Sequence, residues 1–74
     1  MDQKNALIVD DEPDIRELLE ITLGRMDINT RSAEDVASAI SMLSNHEFDF
    51  GLTDMKLPDG NGIEIVQHIQ NHFP

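Results

Sequence analysis

The fold is decided by the segment ALIVDD at residues 6–11, an unbroken apolar run that ends in two acids. An apolar run without alternation is typical of a strand covered on both faces, as the central strands of parallel sheets are. Apolar residues then recur at helical spacing between residues 15 and 23. Asp11 is a plausible N-cap for this helix, Pro13 suits its first turn, and Gly24 marks its end. The sequence thus begins with a buried strand followed by a helix.

A second strand and helix follow. Residues 28–31 form a weak, polar strand of the kind that belongs at the edge of a sheet. Apolar residues at helical spacing between residues 33 and 43 predict a second helix that ends near Asn45. Ser32, with Asp35 three residues later, predicts a capping box at its start.

A third strand is predicted at residues 48–53, and like the first it ends in an acid, Asp54. Turn-forming residues fill the loop at 58–62, and apolar residues at 65–73 predict a third helix. The order βαβαβα implies parallel strands joined by right-handed crossovers. Because the first strand is the most apolar and the second is polar, we expect an α/β sheet of spatial order 2-1-3.

In that order, Asp10, Asp11 and Asp54 lie at the carboxyl ends of adjacent strands, beside the crevice of the sheet's switch point. Three carboxylates in one place repel one another, and their hard oxygen ligands suit Mg²⁺. A carboxylate beside Mg²⁺ is also a reasonable nucleophile toward a phosphoryl group. Each acid alone is more often a helix cap or a turn residue. The hypothesis therefore depends on their convergence.

Composition narrows the functions that are compatible with this fold. The chain has 74 residues, with 15 Asp and Glu against 5 Lys and Arg, a net charge of −10, and no Cys. The length excludes a multi-domain enzyme, and the absence of Cys excludes a disulfide framework. The negative charge argues against binding to nucleic acid or to an anionic membrane. Since no apolar segment is long enough for a signal peptide or a membrane span, we expect a cytoplasmic location.

Two motifs carry a resemblance to a known family. LIVDDEP at residues 7–13 and LTDMKLPDGNG at residues 52–62 resemble the receiver domain of bacterial two-component response regulators. The Pro and Gly that stand four and eight residues after Asp54 match the family's phosphoacceptor motif. Within the family, the chain is most similar to regulators of type IV pilus expression in the nitrogen-regulator class, which activate sigma-54 promoters. The resemblance covers residues 1–74 and implies the flavodoxin-like topology of receivers such as CheY.

The resemblance implies specific roles. Asp54 would be phosphorylated by a sensor histidine kinase, which makes the chain a phosphoacceptor rather than an enzyme. Asp11 would bind Mg²⁺ directly and Asp10 partly through water, with Asp54 and the backbone carbonyl of Lys56 as further ligands. The parent protein would continue into an ATPase module and a DNA-binding domain, so residues 1–74 are expected to bind no nucleic acid themselves.

Family receivers have five β/α units, whereas three are predicted here, so we expect the N-terminal part of a single receiver domain. The family's hydroxyl residue after its fourth strand and its lysine after its fifth have no counterpart, and neither Lys4 nor Lys56 is placed to substitute. Phosphotransfer is therefore in question, although the Mg²⁺ ligands are all present. The third strand, Phe48 to Thr53, keeps a free apolar edge, which predicts a dimer or higher oligomer.

Two other interpretations remain open. The chain is alternatively a non-catalytic module for protein interaction or dimerisation, with vestigial acids. Mg²⁺ affinity distinguishes this interpretation, since an interaction module need not bind the ion. A small Mg²⁺-dependent phosphohydrolase is a lower alternative. Enzymes that resemble the haloacid dehalogenases carry Asp-x-Asp at their first strand, whereas Asp10 and Asp11 are adjacent here.

Overall fold

The computed structural model describes residues 3–72, which alternate between strands and helices. The strands of the main sheet are β1 (Asn5–Val9), β2 (Asn29–Ala33) and β3 (Phe50–Thr53). The helices are α1 (Pro13–Arg25), α2 (Val36–Asn45) and α3 (Gly62–His72). A separate antiparallel hairpin between β3 and α3, which the sequence analysis did not predict, pairs Lys56–Leu57 with Gly60–Asn61. The predicted order of the three strands and three helices is confirmed.

The main sheet is parallel and has the predicted strand order β2-β1-β3. Val9, the last residue of β1, lies opposite Ala33 in β2 and opposite Thr53 in β3. Every side chain from Ala6 to Val9 is buried, with at most 3% of its surface exposed. Burial on both faces of the central strand explains its unbroken apolar sequence.

Two apolar clusters pack on the sheet. The larger joins β1 and β2 to α2, α3 and the hairpin, and its buried members are Leu7, Val9, Ala33, Val36, Ala39, Leu43, Leu57 and Ile65. The smaller has three buried members, Ala6, Ile8 and Leu23, and includes a single residue of α1 among them. Ile15 and Leu18, predicted on the apolar face of α1, are 36% and 58% exposed. Within residues 3–72, no helix has the length and apolar character needed to cross a membrane.

The boundaries of α1 differ from the prediction at both ends. The N-cap is Glu12 rather than Asp11. The carboxylate of Asp10 accepts a hydrogen bond from the backbone N–H of Glu12 at 2.9 Å, which shapes the turn before the helix. At the other end, the helix continues past Gly24. It is followed by Asp27, whose φ of 62° places it in the left-handed region that commonly follows a helix.

The predicted capping box of α2 is wrong, because β2 is longer than expected. β2 extends to Ala33, which pairs with Val9, so Ser32 belongs to the strand and Ala33 does not belong to the helix. Asp35 is the N-cap of α2, and its carboxylate accepts a hydrogen bond from the backbone N–H of Ser38 at 2.7 Å. Asp35 is thus the N-cap itself, whereas the predicted capping box had Ser32 as the N-cap and Asp35 as the residue three positions later.

β3 begins at Phe50, two residues later than predicted. Phe48 is half-buried and packs against the larger cluster instead of extending the strand. The backbone N–H of Asn5 donates to the carboxylate of Asp49 at 2.7 Å. In a regular strand pair this N–H would donate to a backbone carbonyl, so the side chain of Asp49 takes the place of a backbone acceptor. Phe73, predicted on the apolar face of α3, lies outside the described residues.

Candidate metal and phosphoacceptor site

Asp10, Asp11 and Asp54 converge at the carboxyl ends of β1 and β3, as the strand order predicts. The backbone N–H of Asp54 donates to the carbonyl oxygen of Val9 at 2.9 Å, so the chain after β3 stays against the end of β1. One carboxylate oxygen from each of the three acids lies within 4.8 Å of the other two. The arrangement is therefore a compact group of anionic oxygens.

This group fits the coordination chemistry of Mg²⁺. Ligand oxygens lie about 2.1 Å from Mg²⁺ in octahedral geometry, so neighbouring ligands are separated by about 3.0 Å and opposite ligands by about 4.2 Å. Since the three oxygens are already within 4.8 Å of one another, an ion needs to draw them together by at most ~2 Å. Asp11 is exposed and the other two acids are half-buried, so one side of the group faces solvent. Mg²⁺ characteristically retains several water ligands, which this open side accommodates.

The loop that carries Asp10 and Asp11 is fixed by three hydrogen bonds to Asp10. Its N–H donates to the carbonyl of Ala33 at 3.1 Å, and its carboxylate accepts from Glu12. Its carbonyl oxygen accepts a bond from the guanidinium Nη1 of Arg16 at 2.7 Å. This role of Arg16 is not predictable from the sequence, because no local pattern shows that a helical side chain reaches back to a backbone oxygen.

The region around Asp54 is tightly packed. Its carboxylate Oδ1 accepts the backbone N–H of Lys56 at 3.3 Å, which orients the side chain toward the hairpin. A Cβ atom on Gly62 would lie 2.6 Å from the carbonyl oxygen of Asp54 and 3.0 Å from the side chain of Thr53. Only glycine fits this close approach. The contact gives a steric reason for the glycine eight residues after Asp54.

Asp59 connects the hairpin turn after Asp54 to the start of α2. Its two carboxylate oxygens accept the backbone N–H groups of Val36 at 2.7 Å and Ala37 at 3.0 Å. These bonds, that of Val36 first, lower the pKa of Asp59 below its ordinary value because they stabilise the charged carboxylate. The contact was not predicted, since the partners are 22 and 23 residues apart and no periodicity links them.

A parallel α/β sheet with three acids at the ends of adjacent strands is typical of one family of signalling domains, and comparison with known sequences identifies that family. The family model of the response regulator receiver domain matches residues 6–74, and the chain belongs to this family. It is 61% identical, over all 74 residues, to the response regulator protein PilR of Pseudomonas aeruginosa. The chain spans 17% of the length of PilR. The resemblance found in the two sequence motifs is therefore confirmed at the level of the family.

Solved receiver structures have the same fold. The response regulator TrrA of Thermotoga maritima, determined in complex with Mg²⁺ and BeF, has 31% sequence identity and a TM-score of 0.91. That match covers 96% of this chain and 62% of the TrrA chain. The chemotaxis response regulator CheY4 of Vibrio cholerae has 25% identity and a TM-score of 0.92, with coverage of 96% and 59%. The flavodoxin-like topology is thus confirmed.

The family assignment establishes the general function. The chain belongs to the receiver domain of a two-component response regulator. Receiver domains are phosphoacceptors that sensor histidine kinases phosphorylate, and they bind Mg²⁺ through acidic residues of the kind grouped here.

Proposed function

We propose that Asp54 accepts a phosphoryl group from a sensor histidine kinase while Asp10, Asp11, Asp54 and the backbone carbonyl of Lys56 hold Mg²⁺. The observation that carries this proposal is the convergence of three carboxylates within 4.8 Å at the ends of β1 and β3. The structure of TrrA with Mg²⁺ and BeF supports it, since that relative has 31% identity to the chain. Lys56 is included because it stands two residues after Asp54, at the start of the hairpin.

In the proposed reaction, a carboxylate oxygen of Asp54 attacks the phosphorus of a phosphohistidine. The new O–P bond forms as the N–P bond breaks, and the leaving imidazole keeps the electron pair. Mg²⁺, when bound, neutralises negative charge on the phosphoryl oxygens and on the attacking carboxylate. The backbone bond from Asp54 to Val9 and the bond from Lys56 to Oδ1 hold the nucleophile at the mouth of the crevice.

The residues described here supply the acids of this chemistry but not the family's lysine. Lys4 precedes β1, and the six residue-to-residue steps from Lys4 to Asp10 span about 20 Å at strand spacing. Lys56 has an exposed side chain in the hairpin. The experiment therefore asks whether the three carboxylates of residues 3–72 form the acyl phosphate without the family's lysine.

The test is intact mass after incubation with acetyl phosphate and Mg²⁺. We expect a gain of one phosphoryl group in the wild type, no gain in Asp54→Asn, and an unchanged gain in Asp14→Asn, which removes an acid from the first turn of α1. Chelation of Mg²⁺ should abolish the gain. Phosphorylation of Asp54→Asn would assign the reaction to another residue. A wild type that binds Mg²⁺ but gains no mass would show that the assembled site requires further groups.

For the longer protein, we infer a cytoplasmic regulator of transcription of the nitrogen-regulator class that controls type IV pilus expression from sigma-54 promoters. The identity of 61% to PilR over the whole chain supports this. The test is a sigma-54-dependent pilus promoter fused to a reporter in cells that carry the full-length gene. Asp54→Asn in that gene should abolish the response to the cognate kinase. An unchanged response would contradict the inference.

A second proposal concerns self-association through residues 48–53, along the edge of β3 that has no neighbouring strand within residues 3–72. Phe50 and Leu52 are 39% and 40% exposed, and they line a groove of about 520 Å³ that continues to Ile65 and Ile69 of α3. An apolar strand edge of this kind pairs readily with another strand. We propose that a second copy of the chain occupies it.

Sedimentation equilibrium tests this proposal. We expect a dimer or higher oligomer in the wild type and a shift toward monomer in Leu52→Lys, which places a charge on the edge. Leu18→Lys is the matched control, because it places the same charge on an apolar residue of α1 that is 58% exposed. A folded wild-type monomer at high concentration would exclude the proposal.

A further inference from the structure

The carbonyl oxygen of Asp10 belongs to the peptide group that continues into the backbone nitrogen of Asp11. Because the peptide group is planar, a group that fixes this oxygen also fixes the direction in which the chain enters Asp11. The guanidinium of Arg16 makes such a contact at 2.7 Å. Of the three bonds that hold Asp10, it is the one donated by a side chain. We propose that Arg16 is a positioning residue that orients the peptide between Asp10 and Asp11 for Mg²⁺ binding.

The location of Arg16 on α1 supports this role. Arg16 is the fourth residue of the helix, and its own N–H donates to the carbonyl of Glu12 at 3.1 Å. Helical side chains lean toward the helix N-terminus, which directs the guanidinium toward the loop. A cation near a helix N-terminus is unfavourable in the field of the helix dipole. Arg16 therefore does not stabilise the helix through the helix dipole, whereas its position allows its guanidinium to hold the loop at Asp10.

Two effects of Arg16 on Mg²⁺ have opposite signs. As a positive charge near the acids, it repels Mg²⁺, so its removal should tighten binding if charge alone matters. As a positioning residue, it keeps the Asp11 ligand oriented, so its removal should weaken binding. Loss of a group that orients metal ligands typically lowers metal affinity by roughly 10- to 100-fold. The direction of the change in affinity thus distinguishes positioning from simple electrostatics.

The experiment measures Mg²⁺ affinity by calorimetric titration of the wild type, Arg16→Gln and Arg16→Lys. Arg25→Gln is the matched control, since it removes the same charge from the same helix about 13 Å further along its axis. We expect Arg16→Gln to bind Mg²⁺ roughly tenfold more weakly. Arg16→Lys, which keeps the charge and a donor, should be intermediate, and Arg25→Gln should bind at least as tightly as the wild type. Equal or tighter binding by Arg16→Gln would overturn the proposal.

A measurement without metal separates this inference from the proposed function on which it rests. Amide hydrogen exchange at Asp10 and Glu12 reports the loop bonds directly. We expect Arg16→Gln to accelerate both exchange rates and to leave the rate at Ala39 in α2 unchanged. If the wild type binds no Mg²⁺, the proposed metal site is wrong. The exchange rates then test only whether Arg16 holds the loop at Asp10 in place. Unchanged exchange at Asp10 and Glu12 would overturn that role.

Discussion

β1 and β3 are neighbouring parallel strands that are each followed by acids, yet one is buried and the other is not. The side chains from Ala6 to Val9 in β1 are at most 3% exposed, whereas Phe50 and Leu52 in β3 are 39% and 40% exposed. β1 has a strand on each side, while within residues 3–72 β3 is an edge strand. Burial thus depends on neighbouring strands as well as on apolar sequence. The acid group combines two carboxylates from the end of the buried strand with one from the end of the exposed strand.

The largest test of this difference compares Ile8 and Leu52, which lie directly opposite each other in the β1–β3 register. Ile8 is fully buried, so Ile8→Ala should lower the free energy of unfolding by about 2–5 kcal/mol. Leu52 is 40% exposed, so Leu52→Ala should cost about 1 kcal/mol. Urea denaturation followed by circular dichroism measures both values.

Ile8→Val keeps this comparison measurable if Ile8→Ala fails to fold. It removes one methylene group and should cost about 0.5–1.5 kcal/mol. Equal costs for Leu52→Ala and Ile8→Ala at a protein concentration that keeps the chain monomeric would contradict the contrast between the strands. Equal costs only at concentrations where the chain self-associates would mean that a second copy covers Leu52, as proposed above.

The second test asks whether β3 is tightly packed at its end, although its edge is exposed. Gly62→Ala places a methyl group against the carbonyl of Asp54 and should cost about 1–3 kcal/mol, because the backbone must move. Gly24→Ala is the control, since a Cβ atom at Gly24 has no neighbour within 4 Å. It should stabilise the chain by about 0.5–1 kcal/mol through the helix propensity of alanine. Thermal denaturation of the two variants should therefore shift in opposite directions.

The third test asks whether the two strands share one cation. At a Mg²⁺ concentration ten times the Kd, bound ion should raise the free energy of unfolding by about 1.4 kcal/mol. Asp11→Asn, at the end of β1, and Asp54→Asn, at the end of β3, should each remove this gain. Without Mg²⁺, both variants should be more stable than the wild type, because one of three mutually repelling carboxylates is gone.

Urea denaturation with and without Mg²⁺ measures these changes. Glu47→Gln is the control, because Glu47 precedes β3 at the opposite end of the sheet and should keep the full gain. A gain that survives in Asp54→Asn would place the ion on β1 alone.

The parts of the fold that were predicted correctly have a local cause. The apolar run at residues 6–9 requires burial on both faces, and the polar sequence of β2 suits an edge. These two properties are sufficient to order the strands, and the order brings the acids together. The sequence therefore predicts the convergence of Asp10, Asp11 and Asp54.

The features that were missed or misplaced depend on contacts between distant residues. Ser32 was assigned to a capping box, but its strand extends further because Ala33 pairs with Val9. The bond from Arg16 to a backbone carbonyl leaves no trace in any periodic pattern. Asp59 lies in a turn whose composition alone accounts for an acid, so nothing indicated that it reaches α2. Such contacts follow from the packed structure and not from the local sequence.

Asp59→Asn should give the smallest effect, confined to the contact between the hairpin turn and the start of α2. The carboxylate accepts the N–H groups of Val36 and Ala37, and these bonds lower its pKa in the folded state below the ordinary value of 3.8. A lowered pKa in the folded state means that the stabilisation is present above pH 3.8 and is lost as the pH falls through the folded-state pKa. The difference in unfolding free energy between wild type and Asp59→Asn should therefore be constant near neutral pH and narrow below pH 3.8.

Amide exchange locates this effect within the molecule. Exchange at Val36 and Ala37 should accelerate in Asp59→Asn, because their acceptor loses its charge, while Ile8 in β1 should keep its rate. Acceleration at Ile8 equal to that at Val36 would mean that the whole domain opens as one unit. In that case the buried strand β1 and the start of α2 would not differ in local stability, because a single cooperative unfolding event would govern both.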